Sequence, residues 1–102
     1  MGATKPNDYS ELHKAIALGA RALNHPCRVK IFGIIQENKN LRADDLQKML
    51  KLSKSTTREH LQKLKDAGFV TIDFFQNSYL LNINNHSFEQ FCKQIDALPQ
   101  DQ

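Results

Sequence analysis

Cysteine is scarce in this chain: Cys27 and Cys92 lie 65 positions apart in 102 residues, with no C-x-x-C spacing. On that pattern no disulfide framework is expected, and a reducing cytoplasm is the expected compartment. No apolar run approaches the roughly 20 residues that a membrane helix needs. The opening stretch MGATKPNDYS holds no hydrophobic segment, so a secretory signal is not expected. Glycine occurs four times and forms no Gly-rich phosphate loop. No nucleophile has a plausible base beside it. Asp44 and Asp45, being adjacent, would point about 100° apart on a helix and mark a helix start instead of a paired acid and base. No enzyme is expected, and no cofactor.

What is present fits one small domain over residues 8–98, between loose polar ends at 1–7 and 99–102 that each carry a proline. Apolar residues make up 40% and charged residues 25%, an ordinary globular balance that permits one core but no deep interdomain cleft. Fourteen Lys and Arg against eleven Asp and Glu leave a mildly basic net charge of +3.

Periodicity divides the domain. Asn7 or Asp8 can cap a first helix that runs to about Leu23, with Leu12, Ile16, Gly19 and Leu23 on one face. Pro26 suits the first turn of a second helix, which is greasy nearly all round through Val29, Ile31, Phe32, Ile34 and Ile35. The polar run 36–40 ends it. A third helix spans 43–50 with Leu46, Met49 and Leu50 turned inward, and Asp44 and Asp45 suit its first turn. Ser53 is a good N-cap for a fourth helix over 54–67, with Thr57, Leu61 and Leu64 inward and Gly68 as its left-handed stop. The period then changes to two. Residues 69–75 and 79–83 read as strands around a turn at Gln76-Asn77-Ser78. A last amphipathic helix over 87–98 carries Phe88, Phe91, Cys92, Ile95 and Leu98 on one stripe.

The resulting order is mostly α with a β-hairpin: four helices, the hairpin, then a fifth helix. Two short helices on a three-residue connection, followed by a hairpin, are expected to form a winged helix-turn-helix whose second helix fits a DNA major groove. The outward face of that helix is Lys54, Ser55, Arg58, Glu59 and Gln62. Between residues 42 and 65 stand seven basic residues (Arg42, Lys48, Lys51, Lys54, Arg58, Lys63 and Lys65) against three acidic ones. Positive charge is thus concentrated on the helix pair, an electrostatic footprint for double-stranded DNA. The competing reading is a winged helix that docks to a protein partner and has lost most DNA binding.

Two segments resemble a known family. Ala22-Leu23-Asn24-His25-Pro26-Cys27-Arg28-Val29-Lys30-Ile31 is similar to the LADPTRLKIL opening of ArsR/SmtB-type bacterial repressors. LSKSTTREHLQKLKDAGFV, residues 52–70, is similar to that family's recognition segment. The resemblance covers about residues 12–83. It implies a homodimeric repressor on a pseudo-palindromic operator, with Lys54, Ser55, Thr56, Arg58 and His60 on the recognition helix. Arg42, Lys51 and Gln62 complete the expected DNA-facing set, with His60 either contacting phosphate or packing beneath the helix. The family also implies that helices 8–23 and 87–98 form the dimer interface, through Leu12, Ile16, Leu23, Phe88, Phe91, Ile95 and Leu98.

Three departures qualify the resemblance. Glu59 replaces the family's Arg and either accepts from a cytosine amino group or repels phosphate. Lys51 replaces a glycine, so a left-handed backbone there would cost it about 1 kcal/mol. The wing tip Phe75-Gln76-Asn77-Ser78 lacks arginine, which implies weaker or more helix-dependent binding.

The family's sensor sites are largely missing. The third helix has no Cys-x-Cys, and His86 with Glu89 gives only half of a second site type, so no metal is expected. Thiol-sensing relatives imply a possible pair in Cys27 and Cys92. Cys27 is the better candidate, beside Arg28 at a helix start, whereas Cys92 on the apolar stripe reads as a small buried hydrophobe. His13 and His25 read as surface or capping residues.

Overall fold

The computed structural model describes residues 9–99. Of the expected loose ends 1–7 and 99–102, all but Pro99 lie outside the described residues. The first helix, α1 (Glu11–Ala22), is capped by Ser10 and not by Asn7 or Asp8. Ser10 Oγ accepts from the His13 N–H at 3.1 Å, and His13 Nδ1 accepts in return from the Ser10 N–H at 3.3 Å. Two orphan amides at the helix start are thereby satisfied by one reciprocal pair. A polar ring here replaces the usual Glu or Gln.

The second helix, α2 (Pro26–Glu37), starts with Pro26 in its first turn, where the missing N–H costs nothing. His25 caps it, its Nδ1 accepting from the Cys27 N–H at 3.0 Å. Both histidines read as capping residues do cap. Ile31, Phe32 and Ile35 are buried, but Val29 is more than half exposed, so α2 is apolar on one broad side instead of all round.

Residues Leu41–Arg42 form a two-residue strand, β1, before α3 (Ala43–Leu50) and α4 (Lys54–Asp66). The hairpin follows as β2 (Val70–Phe75) and β3 (Ser78–Ile83). The sheet is antiparallel in the order β1-β3-β2, with Leu41 opposite Leu81 and Ile72 opposite Leu81 from the other side. Gln76 and Asn77 both have positive φ, at 50° and 62°. That is the two-residue turn whose twist matches the strands it joins, so Ser78 belongs to β3 and not to the turn. Strand β1 was not expected, because two residues cannot show an alternation. The Asn40 N–H donates to Asn82 Oδ1 and the Asn82 side-chain amide donates to Asn40 Oδ1, both at 2.8 Å, fastening this strand to the hairpin.

The last helix, α5 (Asn85–Asp96), starts two residues earlier than expected, because Asn84 supplies the cap by accepting from the Ser87 N–H at 3.2 Å. Leu98 lies beyond its end.

Phe69 sits between α4 and β2, 2% exposed, at the centre of an aromatic cluster. Its ring centroid lies 5.3 Å from Phe91, 5.5 Å from Phe88 and 6.4 Å from Phe32, the range in which edge-to-face pairs attract. This cluster joins α2 and α5 beneath the sheet. Gly19 lets α1 close over it: a Cβ there would collide with the Phe91 ring and touch Phe69 Cζ. Leu46, Leu61, Leu64 and Leu81 complete the core on the side of α3 and α4. Met49, expected inward, is more than half exposed, since Leu46 and Leu50 already fill the buried side of that short helix.

Candidate nucleic-acid interface

The connection between α3 and α4 is fixed by local bonds. Lys51 adopts the left-handed conformation, φ 56° and ψ 37°, and its N–H donates to the Gln47 carbonyl at 2.9 Å. Ser53 then caps α4. Its Oγ accepts from the Thr56 N–H at 3.1 Å, and the buried Thr57 hydroxyl donates to the Ser53 carbonyl at 2.9 Å. The start of α4 is therefore held from inside and outside at once, and its direction is set before any partner arrives.

The strained Lys51 supplies a simple test. Replacing it with glycine, Lys51→Gly, removes the Cβ clash and is expected to stabilise the fold by up to about 1 kcal/mol. A urea melt of the variant should show a higher midpoint; a lower one would contradict the strain.

Lys54, Ser55, Arg58, Glu59 and Gln62 are all exposed along one side of α4. The Gln62 side-chain amide donates to Asp66 Oδ1 at 2.8 Å, which holds it along the helix. Among the described residues the one ion pair is Lys14–Glu11 on α1, so none of the seven cations of residues 42–65 is matched by a carboxylate. Unpaired cations on a pre-aimed helix are available for an external anion.

Between this helix and the wing lies a cleft of about 460 Å³. Lys54, Arg58, Gln62 and Lys65 line it from α4, and Ser78 and Tyr79 from β3. Ser78 Oγ is buried there and has no hydrogen-bond partner. Lys65, counted from sequence only in the basic footprint, and Ser78 and Tyr79 stand outside the expected DNA-facing set. Lys65 stands seven residues beyond Arg58, a spacing that would have placed it on the same face; nothing local signalled the two wing residues.

The expected DNA-facing set divides. Lys54, Ser55, Arg58 and Gln62 share the outward face, with Lys51 exposed in the turn and Arg42 exposed at the end of β1. Thr56 is half-buried, its hydroxyl accepting from Ser53 Oγ at 2.9 Å. His60 points elsewhere. Its ring lies 4.7 Å from that of His25, and its Nδ1 is 3.2 Å from Arg28 Nη1. Burial holds its pKa below the ordinary value of 6.5, and the neighbouring His25 and Arg28 lower it further against a small opposing pull from Glu59. Arg28 is itself turned to the end of α1, its Nε donating to the Ala22 carbonyl at 2.7 Å.

The wing tip carries aromatics instead of cations. Phe74 and Tyr79 are 62% and 52% exposed and face one another with centroids 4.9 Å apart. Asp73 is the only charged residue of the hairpin.

The α1–α5 face is partly used within the chain. Phe91 is buried against Gly19, while Ile16, Leu23 and Phe88 pack on the core. Leu12 and Leu98 are half-buried. Ile95, at 44%, and Leu18, at 55%, stay exposed. Cys92 is exposed as well and is not a buried hydrophobe, because the inner side of α5 is taken by Phe88 and Phe91. Cys27 is half-buried, and both thiols are free. Among the described residues no three His, Cys, Asp or Glu side chains gather as a metal site would require, and His86 and Glu89 are exposed.

Comparison with known proteins agrees with this geometry. Residues 25–71, from the cap of α2 into β2, match the family described as bacterial regulatory protein, arsR family. An ArsR-like transcriptional regulator from Rhodococcus sp. RHA1 superposes with a TM-score of 0.75 at 16% identity, over 85% of this chain and 81% of that one. A homodimeric winged helix-turn-helix DNA-binding domain from Mycobacterium bovis, a possible ArsR-family regulator, gives 0.72 at 18% identity, over 95% and 90%. NolR from Sinorhizobium fredii gives 0.71 at 19% identity, over 94% of each chain. At these identities the likeness is one of fold. No curated protein sequence matches the chain. Among the described residues no helix is long and apolar enough to cross a membrane.

Proposed function

We propose that this chain, an ArsR-type winged helix-turn-helix regulator, acts in the cytoplasm as a homodimeric transcriptional repressor with no catalytic step. Each protomer sets α4 into the major groove of one half of a pseudo-palindromic operator. The observation that carries this reading is the unpaired basic face of α4, fixed in direction by Ser53 and opening onto the cleft below the wing. Arg58 and Gln62 carry the donors of that face that suit base edges, Gln62 once it leaves Asp66, and Lys54, Ser55 and Lys65 hold phosphates. Arg42 and Lys51 add phosphate contacts at the flanks. His60 and Thr56 serve the helix from behind. The exposed Leu18, Cys92 and Ile95 on α1 and α5 support a second copy as the cover for that face, and the Mycobacterium bovis domain of the same fold is a homodimer.

A second reading has one observation in its favour. A wing with Phe74, Phe75 and Tyr79 exposed, and Asp73 as its one charge, suits a protein surface better than a phosphate backbone.

Fluorescence anisotropy separates the two. A labelled duplex from upstream of the chain's own gene is titrated at several salt concentrations, beside a scrambled duplex. The expected result is selective binding whose log affinity falls with log salt by about 0.9 per phosphate neutralised. Binding to neither duplex, even at low salt, would leave the interaction module.

A further inference from the structure

Arg28 is the one charged side chain buried among the described residues, 9% exposed, and no carboxylate accompanies it. A guanidinium has donors only, so each buried nitrogen needs an acceptor. Nε donates to the Ala22 carbonyl at 2.7 Å and Nη2 to the Arg21 carbonyl at 3.2 Å. Those two oxygens end α1, where the helix dipole favours a cation. The remaining contact is Nη1 to His60 Nδ1, at 3.2 Å. Because arginine does not accept, His60 Nδ1 must be the unprotonated nitrogen, and the ring is neutral with its proton on Nε2. Across the same corner His25 also uses Nδ1 as an acceptor, from the Cys27 N–H. Three groups that are cationic when protonated thus meet where α1, α2 and α4 join.

We propose that Arg28 and His60 are positioning residues for DNA binding: the guanidinium ties the end of α1 to the recognition helix through a neutral His60, and protonation of that ring releases α4. This rests on the DNA-binding reading above. A proton on His60 Nδ1 turns an accepted hydrogen bond into two N–H groups facing one another, with like charges in contact. Arg28 and His25 face His60 from α2 and its cap. Glu59, exposed on α4 itself, is the only carboxylate among the described residues that opposes them. The end of α1 brings two carbonyls and the exposed side chain of Arg21, while Asp73 of β2 is exposed on the wing. The lowered pKa of His60 has the sign that this requires. The tie is intact above the ordinary histidine value of 6.5 and is lost as pH falls through the lowered one.

The experiment measures duplex affinity from about pH 8 to about pH 5 for the unaltered chain and for His60→Asn, whose side-chain oxygen can accept from Arg28 but cannot take a proton. The unaltered chain is expected to lose affinity by about fivefold or more on acidification, and His60→Asn to lose much less. Circular dichroism at each pH separates release of α4 from unfolding. A flat or rising affinity in the unaltered chain would overturn the proposal, as would an equal loss in His60→Asn. Should no duplex bind at any pH, the DNA reading fails by itself and nuclear magnetic resonance of the free chain still decides. The amide signals of Arg21 and Ala22 are expected to follow the His60 titration, and their indifference to it would sink the tie.

Discussion

Phe69→Ala is expected to cost about 3–5 kcal/mol, the toll for emptying a well-packed aromatic site. A domain of this size has about 5–15 kcal/mol in all, so the variant would be at the edge of folding. The reason is where the ring sits. Phe69 meets Phe32 of α2 and both Phe88 and Phe91 of α5, and its Cζ closes under Gly19 of α1. Three helices lose a shared contact at once, and their rigid backbones limit collapse into the void. At about 4–8 °C per kcal/mol the midpoint of thermal melting should fall by at least about 12 °C. A drop of only a few degrees in a calorimetric scan would mean that the cluster repacks, and that Phe69 is not its centre.

The second large effect concerns binding and not stability. Arg58→Ala should weaken operator affinity by about 1–3 kcal/mol, roughly 5–150-fold, with the melting curve unchanged because the side chain is exposed. Arg58→Glu should weaken it further, since a carboxylate on that face repels the backbone it replaced a grip on. The two proposed roles of the α4 cations are separable. Arg58→Ala should relax sequence preference as well as affinity, whereas Lys65→Ala should lower affinity evenly for every duplex and reduce the salt slope by about one. Lys14, already paired with Glu11 on α1, is the control that should do neither. If Arg58→Glu bound as tightly as the unaltered chain, the DNA-facing assignment of α4 would fall.

Much of the fold was legible because its signals are local. Ser53 and Gly68 punctuate α4 through capping chemistry that acts within four residues, and Thr57, Leu61 and Leu64 mark its inner side by helical spacing alone. The change from the helical period of about 3.6 to a period of two marks the hairpin. What escaped was carried by distance along the chain. Strand β1 exists only because Leu41 and Arg42 find Leu81 and Leu80, forty residues on. Arg28 and His60 are separated by 32 positions, and nothing near either one marks the other. The apolar stripe of α5 was correctly placed as a stripe, yet its residues divide between Phe88 and Phe91 on the inside and Cys92 and Ile95 on the outside. A helical face is wider than the core that it covers, and the sequence has no mark for where the core stops. Met49 illustrates the same point on α3.

The small strand β1 also bears on how this fold can vary. Its register against β3 is set by a single step, Leu41 inward and Arg42 outward, with Asn40 and Asn82 clasped beside it. A one-residue slip of that register would turn Arg42 into the core, since alternate residues of a strand face opposite ways. At the far end of the hairpin the ladder runs on to the Phe75–Ser78 pair, and beyond it the strands enclose only Gln76 and Asn77. A change of length at Gln76-Asn77 therefore leaves the register of β1 untouched, whereas a slip at β1 would carry a charge into the core.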